Sequence, residues 1–183
     1  SLSVGSSTLT LTGGGTFSNM NSLRLGNPSS VLNISGPNTI GGPIILNAGV
    51  LDIDEDSEIW GSIVQGGSAS IDVVTGKTLT YSGVALSLGE NTLTLAGGGT
   101  LSNSNSLRLG NTSSVLSISG PNTVGGPIAL NAGVLDIDED SAISGAIVQG
   151  GSASIDVVTG KTLTYSGAAL SLGENTLTLA GGG

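Results

Sequence analysis

The chain has 183 residues and a formal net charge of −9 at pH 7, from 13 acidic and four basic side chains. This charge disfavours nucleic-acid phosphates and anionic membranes as partners, so we expect neither. Cys and His are both absent, which excludes disulfides, thiolate metal sites and the nucleophile–histidine arrangements of hydrolases. No run of 18 apolar residues occurs, so the sequence predicts no membrane insertion of this chain.

Strand-like segments recur along the chain at nearly constant spacing. They begin at Thr8, Val31, Val50 and Ile71 and again at Thr92, at intervals of 23, 19, 21 and 21 residues. Each is followed by a turn rich in Gly, Asn, Ser or Asp and then by two further short apolar segments. The second segments are Phe17, Ile40, Ile59-Trp60 and Leu79, and the third are 23–25, 44–46, 63–64 and 86–88. Short alternating segments between turn residues predict strands, whereas 32 glycines argue against helices.

The four segments belong to a longer repeat of 84 residues. Residues 1–84 and 85–168 differ at 15 of 84 positions, and residues 169–183 begin a third copy. A fixed period of this kind is the sequence signature of a repeat architecture, and it therefore determines the class of fold. We therefore expect residues 1–183 to form a single repeat segment. Because residues 169–183 begin a further copy of the repeat, we also expect the chain to be part of a longer array.

These patterns predict an all-β fold, a right-handed parallel β-helix (β-solenoid) with about 21 residues and three short strands per rung. A rung, meaning one turn of the coil, cannot bury its apolar side chains alone, whereas stacked rungs share one core. The right-handed sense follows from the usual chirality of parallel crossover connections. A β-sandwich is the alternative, but it favours Asn-Gly or Asp-Gly hairpin turns, and the sequence has neither.

Alternation within the strands predicts which side chains face the core. In the first three rungs the inward pairs are Leu9 and Leu11, Leu32 and Ile34, and Leu51 and Ile53. The residues between them, Thr10, Asn33 and Asp52, are expected on the outside. The fourth rung reads Ile-Asp-Val-Val over residues 71–74, which predicts a bulge or a register shift there. At the corners, Asn27, Asn47 and Gly49 predict turns in which asparagines stack and bond the neighbouring backbone.

Two stretches of the second copy resemble a known family. Residues 119–126 (SGPNTVGG) continue to NAGVL at 131–135, and residues 95–101 read LAGGGTL. These stretches are similar to the strand repeats of autotransporter passenger domains and filamentous-haemagglutinin-type adhesins. The resemblance implies a right-handed β-helix that is exported and displayed at the cell surface. It carries over no catalytic or ligand-binding residue.

The densest charge cluster contains Asp52, Asp54 and Asp56, and it recurs as Asp136, Asp138 and Asp140. Oxygen ligands at alternating spacing are typical of calcium sites. However, the EF-hand pattern needs Gly at its sixth position and Glu at its twelfth, where this chain has Ser57 and Ile63. The competing interpretation is a solvated acidic turn partly neutralised by Lys77. The sequence leaves this choice open, and a calcium-stabilised rod would melt at a lower temperature after chelation.

Two other kinds of site are alternatives to plain surface polarity in this sequence. Asp52 and Asp72 on adjacent rungs would suit a glycosidase, which needs two carboxyls about 5–9 Å apart. Short uniform turns and duplicated sites argue against a cleft, so we expect no enzyme and assign no catalytic residue. An ice-binding face would need Thr on every rung, but the outward position reads Thr10, Asn33 and Asp52. Thr as a good exposed strand former is the simpler interpretation.

We therefore expect a structural, non-catalytic rod segment of an extracellular or cell-surface adhesin or fibre. Its expected partners are further repeats of the chain or neighbouring subunits, together with surface receptors or glycans. No cofactor or metal site is predicted. The alternative is an ice- or carbohydrate-binding β-solenoid module.

Overall fold

A computed structural model of the chain describes residues 1–18 and 20–183. Within these residues all secondary structure is strand or turn, and every pair of adjacent strands is parallel. The chain winds through three sheet faces in succession, and neighbouring strands of each sheet lie one rung apart in the sequence. The parallel β-solenoid with rungs of about 21 residues that the sequence predicts is therefore confirmed.

The strands are numbered in chain order and grouped by face. The nine-stranded sheet contains β2 (Thr8–Leu11), β5 (Val31–Ile34), β8 (Val50–Ile53), β11 (Ala69–Val73), β14 (Thr92–Ala96), β17 (Val115–Ile118), β20 (Val134–Ile137), β23 (Ala153–Val157) and β25 (Leu177–Gly181). The eight-stranded sheet contains β3 (Thr16–Phe17), β6 (Thr39–Ile40), β9 (Ser57–Ile59), β12 (Thr78–Tyr81), β15 (Thr100–Asn103), β18 (Thr123–Val124), β21 (Ser141–Ile143) and β24 (Leu163–Tyr165). The interrupted face has two four-stranded sheets, the first with β1 (Leu2–Ser3), β4 (Leu23–Leu25), β7 (Ile44–Leu46) and β10 (Ile63–Gln65), the second with β13 (Leu86–Ser87), β16 (Leu107–Leu109), β19 (Ile128–Leu130) and β22 (Ile147–Gln149).

The predicted inward column of the nine-stranded sheet is confirmed. Leu9 lies opposite Leu32, and Leu32 lies opposite Leu51. Leu32 and Leu51 are fully buried, and Leu9 at the end of the stack is half-buried. Each fully buried Leu stabilises the fold by about 1.5–3 kcal/mol relative to an exposed one. The same alternation on the other two faces makes one continuous aliphatic core along the stack.

Of the bulge or register shift predicted in the fourth rung, the bulge is wrong, whereas a register shift occurs where this rung pairs with the next. Strand β11 begins at Ala69, and its alternation is intact because Ala69, Ile71 and Val73 are all buried. Ile71 lies opposite Leu51, and Asp72 lies opposite Asp52. The sequence pattern suggested a start at Ile71 because Ala and Ser are weak strand formers. Pairing with β8 extends the strand over them.

A register slide separates the two copies. Between β11 and β14 the partners are Ala69 with Leu93 and Ile71 with Leu95. Leu93 is the repeat equivalent of Leu9, yet it does not lie over the column that Leu9 begins. The slide amounts to two residues, and it recurs between β12 and β15, where Leu79 pairs with Leu101. An even slide keeps every side chain on its own face, so the core continues without interruption.

Asparagines outside the predicted corners also bond the preceding rung. Asn27 accepts a hydrogen bond from the backbone N–H of Ser29 in its own turn, at 2.9 Å. The buried Asn38 and Asn122, away from those corners, bond the backbone of the preceding rung. The side-chain amide of Asn38 donates to the carbonyl of Leu11, at 3.2 Å, and that of Asn122 donates to the carbonyl of Leu95, at 3.1 Å. These two asparagines follow a Gly-Pro pair, which marked them as turn residues but not as buried ones.

Tyr81 bridges the gap in the interrupted face. Between β10 and β13 the ladder is broken, and the backbone N–H of Ile63 donates to the Tyr81 hydroxyl at 3.1 Å. That hydroxyl donates in turn to the carbonyl of Val84 at 2.6 Å. Burial raises the pKa of Tyr81 above its ordinary 10.0, so the hydroxyl keeps the proton that it donates. One phenol thus replaces a backbone hydrogen bond between two rungs.

We expect Tyr81→Phe to lower the free energy of unfolding by about 1–3 kcal/mol, because the Ile63 N–H and the Val84 carbonyl lose their shared partner in a buried position. Urea unfolding followed by far-ultraviolet circular dichroism measures the change. The matched control is Tyr165→Phe, which removes the equivalent hydroxyl between Ile147 and Ala168. Tyr165 is only half-buried, so water replaces its hydroxyl and the loss should be smaller. Equal losses in the two variants would contradict the bridging role of Tyr81.

Candidate functional site

An acidic column lies on the outward surface of the nine-stranded sheet. Asp52 and Asp72 are direct neighbours on adjacent strands, as the sequence suggested. The side-chain amide of Asn33 donates to Asp52 Oδ2 and to Asp54 Oδ2, each at 2.8 Å. Burial raises the pKa of Asp72 above its ordinary 3.8, and the nearby charges of Asp52 and Asp54 raise it further. At neutral pH the column therefore holds carboxylates that repel one another.

The second copy repeats the column with one change. Asp136 and Asp156 are neighbours on adjacent strands, but Ser117 replaces Asn33. The Ser117 hydroxyl donates to Asp138 Oδ2 at 3.1 Å. Burial raises the pKa of Asp136, and the charges of Asp138 and Asp156 add to this effect. Repulsion between neighbouring carboxylates thus occurs in both copies.

We expect the folded chain to become more stable as the pH falls from 7 towards 4. Asp72 and Asp136 have raised pKa values in the folded chain, so the folded state binds their protons more tightly than the unfolded state does. Their contribution to stability is complete below the ordinary value of 3.8 and is lost as the pH rises through the raised values. Thermal unfolding between pH 4 and 7 measures the slope.

Two substitutions on strand β11 test the cause of this pH dependence of stability. Asp72→Asn removes a repelled carboxylate, so it should raise the melting temperature at pH 7 and flatten the pH dependence. Ser70→Asn alters the same strand without removing a charge and should leave the slope in place. A melting temperature that falls steadily on acidification from pH 7 to 4 would contradict the prediction.

The acidic turns direct their carboxylates to separate partners. Glu55 pairs with Lys77 at 2.5 Å, which confirms the neutralisation predicted for this turn. Asp56 accepts a hydrogen bond from the backbone N–H of Thr78 at 2.7 Å, and Asp54 is held by Asn33. In the second copy Lys161 pairs with Glu139, and Asp140 accepts from the N–H of Thr162. Across residues 1–18 and 20–183, no three acidic side chains converge in a group suited to a metal ion.

The candidate glycosidase pair stands apart from the nearest depression of its sheet. That depression, of about 300 Å³, is lined by the beginnings of the strands, including Val50, Ser70 and Thr92. Asp52 and Asp72 lie further along the same strands, on an open surface. The pair is therefore brought together as predicted, and neither carboxylate lines this depression.

Threonine hydroxyls gather on the eight-stranded sheet instead of the nine-stranded one. The outward column of the nine-stranded sheet reads Thr10, Asn33 and Asp52, as predicted. On the eight-stranded sheet, Thr78, Thr100 and Thr123 lie side by side on three successive rungs. Ala142 follows Thr123 in this column, and Glu58 separates Thr39 from Thr80 in the neighbouring one. The hydroxyl array is regular only in short stretches.

The two residues of the apolar pair Ile59-Trp60 lie on opposite sides of the chain. Ile59 is buried, whereas the Trp60 side chain is 57% exposed. Trp60 directly follows β9, and continued alternation places it on the outward side with Glu58, two residues before it. The repeat equivalents of these two residues are Ser144 and Ala142. The replacement of both residues in the second copy is the feature of the sequence that distinguishes this surface of the first copy.

Trp60 and Glu58 form the centre of a small polar surface, which we call the Trp60 surface. Thr39 and Thr80 flank Glu58 on the adjacent rungs, and Ser82 donates its hydroxyl proton to Glu58 Oε1 at 3.2 Å. Backbone bonds from Trp60 to the rung before and from Ser82 to the rung of Trp60 extend this register, so Gly41 and Ser82 lie on either side of Trp60 along the stack. A shallow depression of about 250 Å³ adjoins Glu58, Thr39 and Thr80.

These features define the chain as a parallel β-solenoid repeat protein. No protein-family model, curated protein or solved structure matches the chain in comparisons with each. Among the residues described, no helix has the length and apolar character to cross a membrane.

Proposed function

We propose that the chain is a structural, non-catalytic rod segment of an extracellular or cell-surface adhesin or fibre. The observation that carries this proposal is the nine-stranded sheet, which runs through all successive rungs without a break. With about 4.8 Å between strands, its length is about 40 Å. Bending or stretching such a rod requires separating parallel ladders and exposing the shared core, which gives the segment its stiffness.

Repetition supplies the reach of the rod. Each 84-residue copy holds four rungs and adds about 19 Å along the axis at the usual strand spacing. The near-identity of the copies suits a structure whose length matters more than any single position. Its partners are further repeats stacked on the same axis, neighbouring subunits, and receptors or glycans on a facing surface. The ice-binding alternative has less support, because Glu58 and Ala142 interrupt the threonine columns.

Small-angle X-ray scattering of tandem chains tests the rod. Chains with two, four and six copies of residues 85–168 should grow in maximum dimension by about 19 Å per copy at constant cross-section. In a flexible chain the radius of gyration instead grows with about the square root of the chain length. Such growth would contradict the rod proposal. Antibody labelling of intact and permeabilised source cells tests the surface assignment separately, and labelling confined to permeabilised cells would remove it.

A further inference from the structure

The Trp60 surface combines one exposed aromatic side chain with a grid of hydrogen-bonding groups. Six residues on three adjacent rungs make up the grid: Thr39, Glu58 and Thr80 on strands β6, β9 and β12, and Gly41, Trp60 and Ser82, each directly after the end of one of these strands. By sheet geometry the rows are about 4.8 Å apart, and the two residues of each row about 6.6 Å apart. Both spacings are on the scale of one sugar ring.

We propose that the Trp60 surface binds an uncharged glycan, with one pyranose ring stacked on the indole of Trp60. An indole offers a flat apolar face, which matches the face of a pyranose that carries only C–H groups. Gly41, on the rung before Trp60, presents no side chain on that flank, and the nearest atoms to a Cβ there belong to Ser18, at 3.5 Å or more. A ring placed there brings its hydroxyls over the polar members of the grid.

The surrounding groups supply the hydrogen bonds that such a ring needs. Ser82 holds the Glu58 carboxylate in place, and the remaining lone pairs of that carboxylate accept from sugar hydroxyls. Bonds to a charged acceptor are stronger than neutral ones. The hydroxyls of Thr39 and Thr80 both donate and accept. One stacking face and several convergent polar groups are the usual elements of a ligand site.

The charge of the chain selects the kind of glycan. Glu58 lies close along the chain to Asp54 and Asp56, in a protein with a net charge of −9. Sulfated or uronic glycans would therefore be repelled. A quaternary ammonium ligand also binds indole faces, but it is recognised by a cage of several aromatic rings. Trp60 is the chain's single Trp, and the other five members of the grid are not aromatic.

The second copy is a natural control for this site. Thr123, Gly125, Thr164 and Ser166 occupy the positions equivalent to Thr39, Gly41, Thr80 and Ser82, with the same strand pairing. The two differences are Ala142 for Glu58 and Ser144 for Trp60. The proposal therefore places one glycan site per chain, in the first copy.

Titration with defined oligosaccharides tests the proposal. Cellotetraose, maltotetraose, mannotetraose and tetraacetylchitotetraose are the uncharged probes, with a heparin tetrasaccharide and tetramethylammonium chloride beside them. Because the chain has one Trp, its fluorescence reports on Trp60 alone, and isothermal titration calorimetry gives the stoichiometry. We expect saturable one-to-one binding of at least one uncharged probe. Saturation by none of them, or by heparin or tetramethylammonium in their place, would overturn the proposal.

Variants separate this site from general surface adsorption. Trp60→Ala and Glu58→Ala should each weaken calorimetric binding by about tenfold or more, equivalent to 1.4 kcal/mol. Both side chains lie on the surface, and circular dichroism checks that each variant keeps the fold. Ala142→Glu combined with Ser144→Trp should raise the stoichiometry from one site to two. Undiminished binding by Trp60→Ala, or an unchanged stoichiometry in the double variant, would refute the assignment.

Discussion

Leu135→Ala is expected to lower the free energy of unfolding by about 3–5 kcal/mol. The Leu135 side chain is fully buried in the nine-stranded sheet, between Leu116 on one strand and Ile155 on the next. Truncation removes the transfer free energy of the lost carbons and leaves a cavity, because stacked rungs cannot collapse around it without breaking their ladders. Urea unfolding followed by far-ultraviolet circular dichroism measures the loss.

The matched control lies in the same inward column, two strands further along. Leu179 follows Ile155 in register, but no rung covers it and its side chain is 75% exposed. Leu179→Ala should therefore cost less than about 1 kcal/mol, as surface substitutions do. A similar loss for the two variants would show that the column is not a shared core, and the rod would lose its main source of stiffness.

Gly145→Ala is the second large expected effect, with a loss of about 3 kcal/mol or complete failure to fold. Gly145 lies at the corner between the eight-stranded sheet and the interrupted face. A Cβ atom there would lie 1.8 Å from the carbonyl oxygen of Gly126, one rung away. That atom belongs to the backbone and cannot rotate aside, so the two rungs would have to separate locally. The melting temperature and the urea midpoint both report the effect.

Gly125→Ala provides the control at the same corner. A Cβ atom at Gly125 would meet nothing closer than the Cα of Ser102 at 3.6 Å, which is ordinary van der Waals contact. The free energy of unfolding of this variant should lie within about 0.5 kcal/mol of that of the unsubstituted chain. Tolerance of Gly145→Ala would mean that rungs at this corner are further apart than the backbone stacking implies.

The sequence by itself contained the period and the inward pattern. The spacing of Leu9, Leu32 and Leu51 determines one column because side chains alternate along a strand, and the register of β2, β5 and β8 bears this out. The neutralisation of Glu55 by Lys77 was also accessible, since residues one rung apart are neighbours in any such coil. These features are local or repeat with the period.

The Trp60 surface was only partly accessible from the sequence. The sequence shows that the second copy lacks both Glu58 and Trp60. However, hydrophobicity alone would place an apolar residue beside Ile59 in the core. Strand alternation decides otherwise, since Ser57 and Ile59 occupy the inward positions of β9. The assignment depends on which alternate residues of the strand face the core. In a strand of only three residues, pairing with the neighbouring strands decides this.

What the sequence alone determined is therefore the architecture: 84-residue copies, rungs of about 21 residues and an aliphatic core. The tertiary structure decided between a bulge and a register shift in the fourth rung, set the shift at two residues, and placed the Tyr81 bridge across the broken ladder. Periodicity specifies which face a side chain takes, and a slide by two residues leaves every face unchanged. The sequence pattern is therefore the same for either register, and only the packing of one rung on the next selects between them.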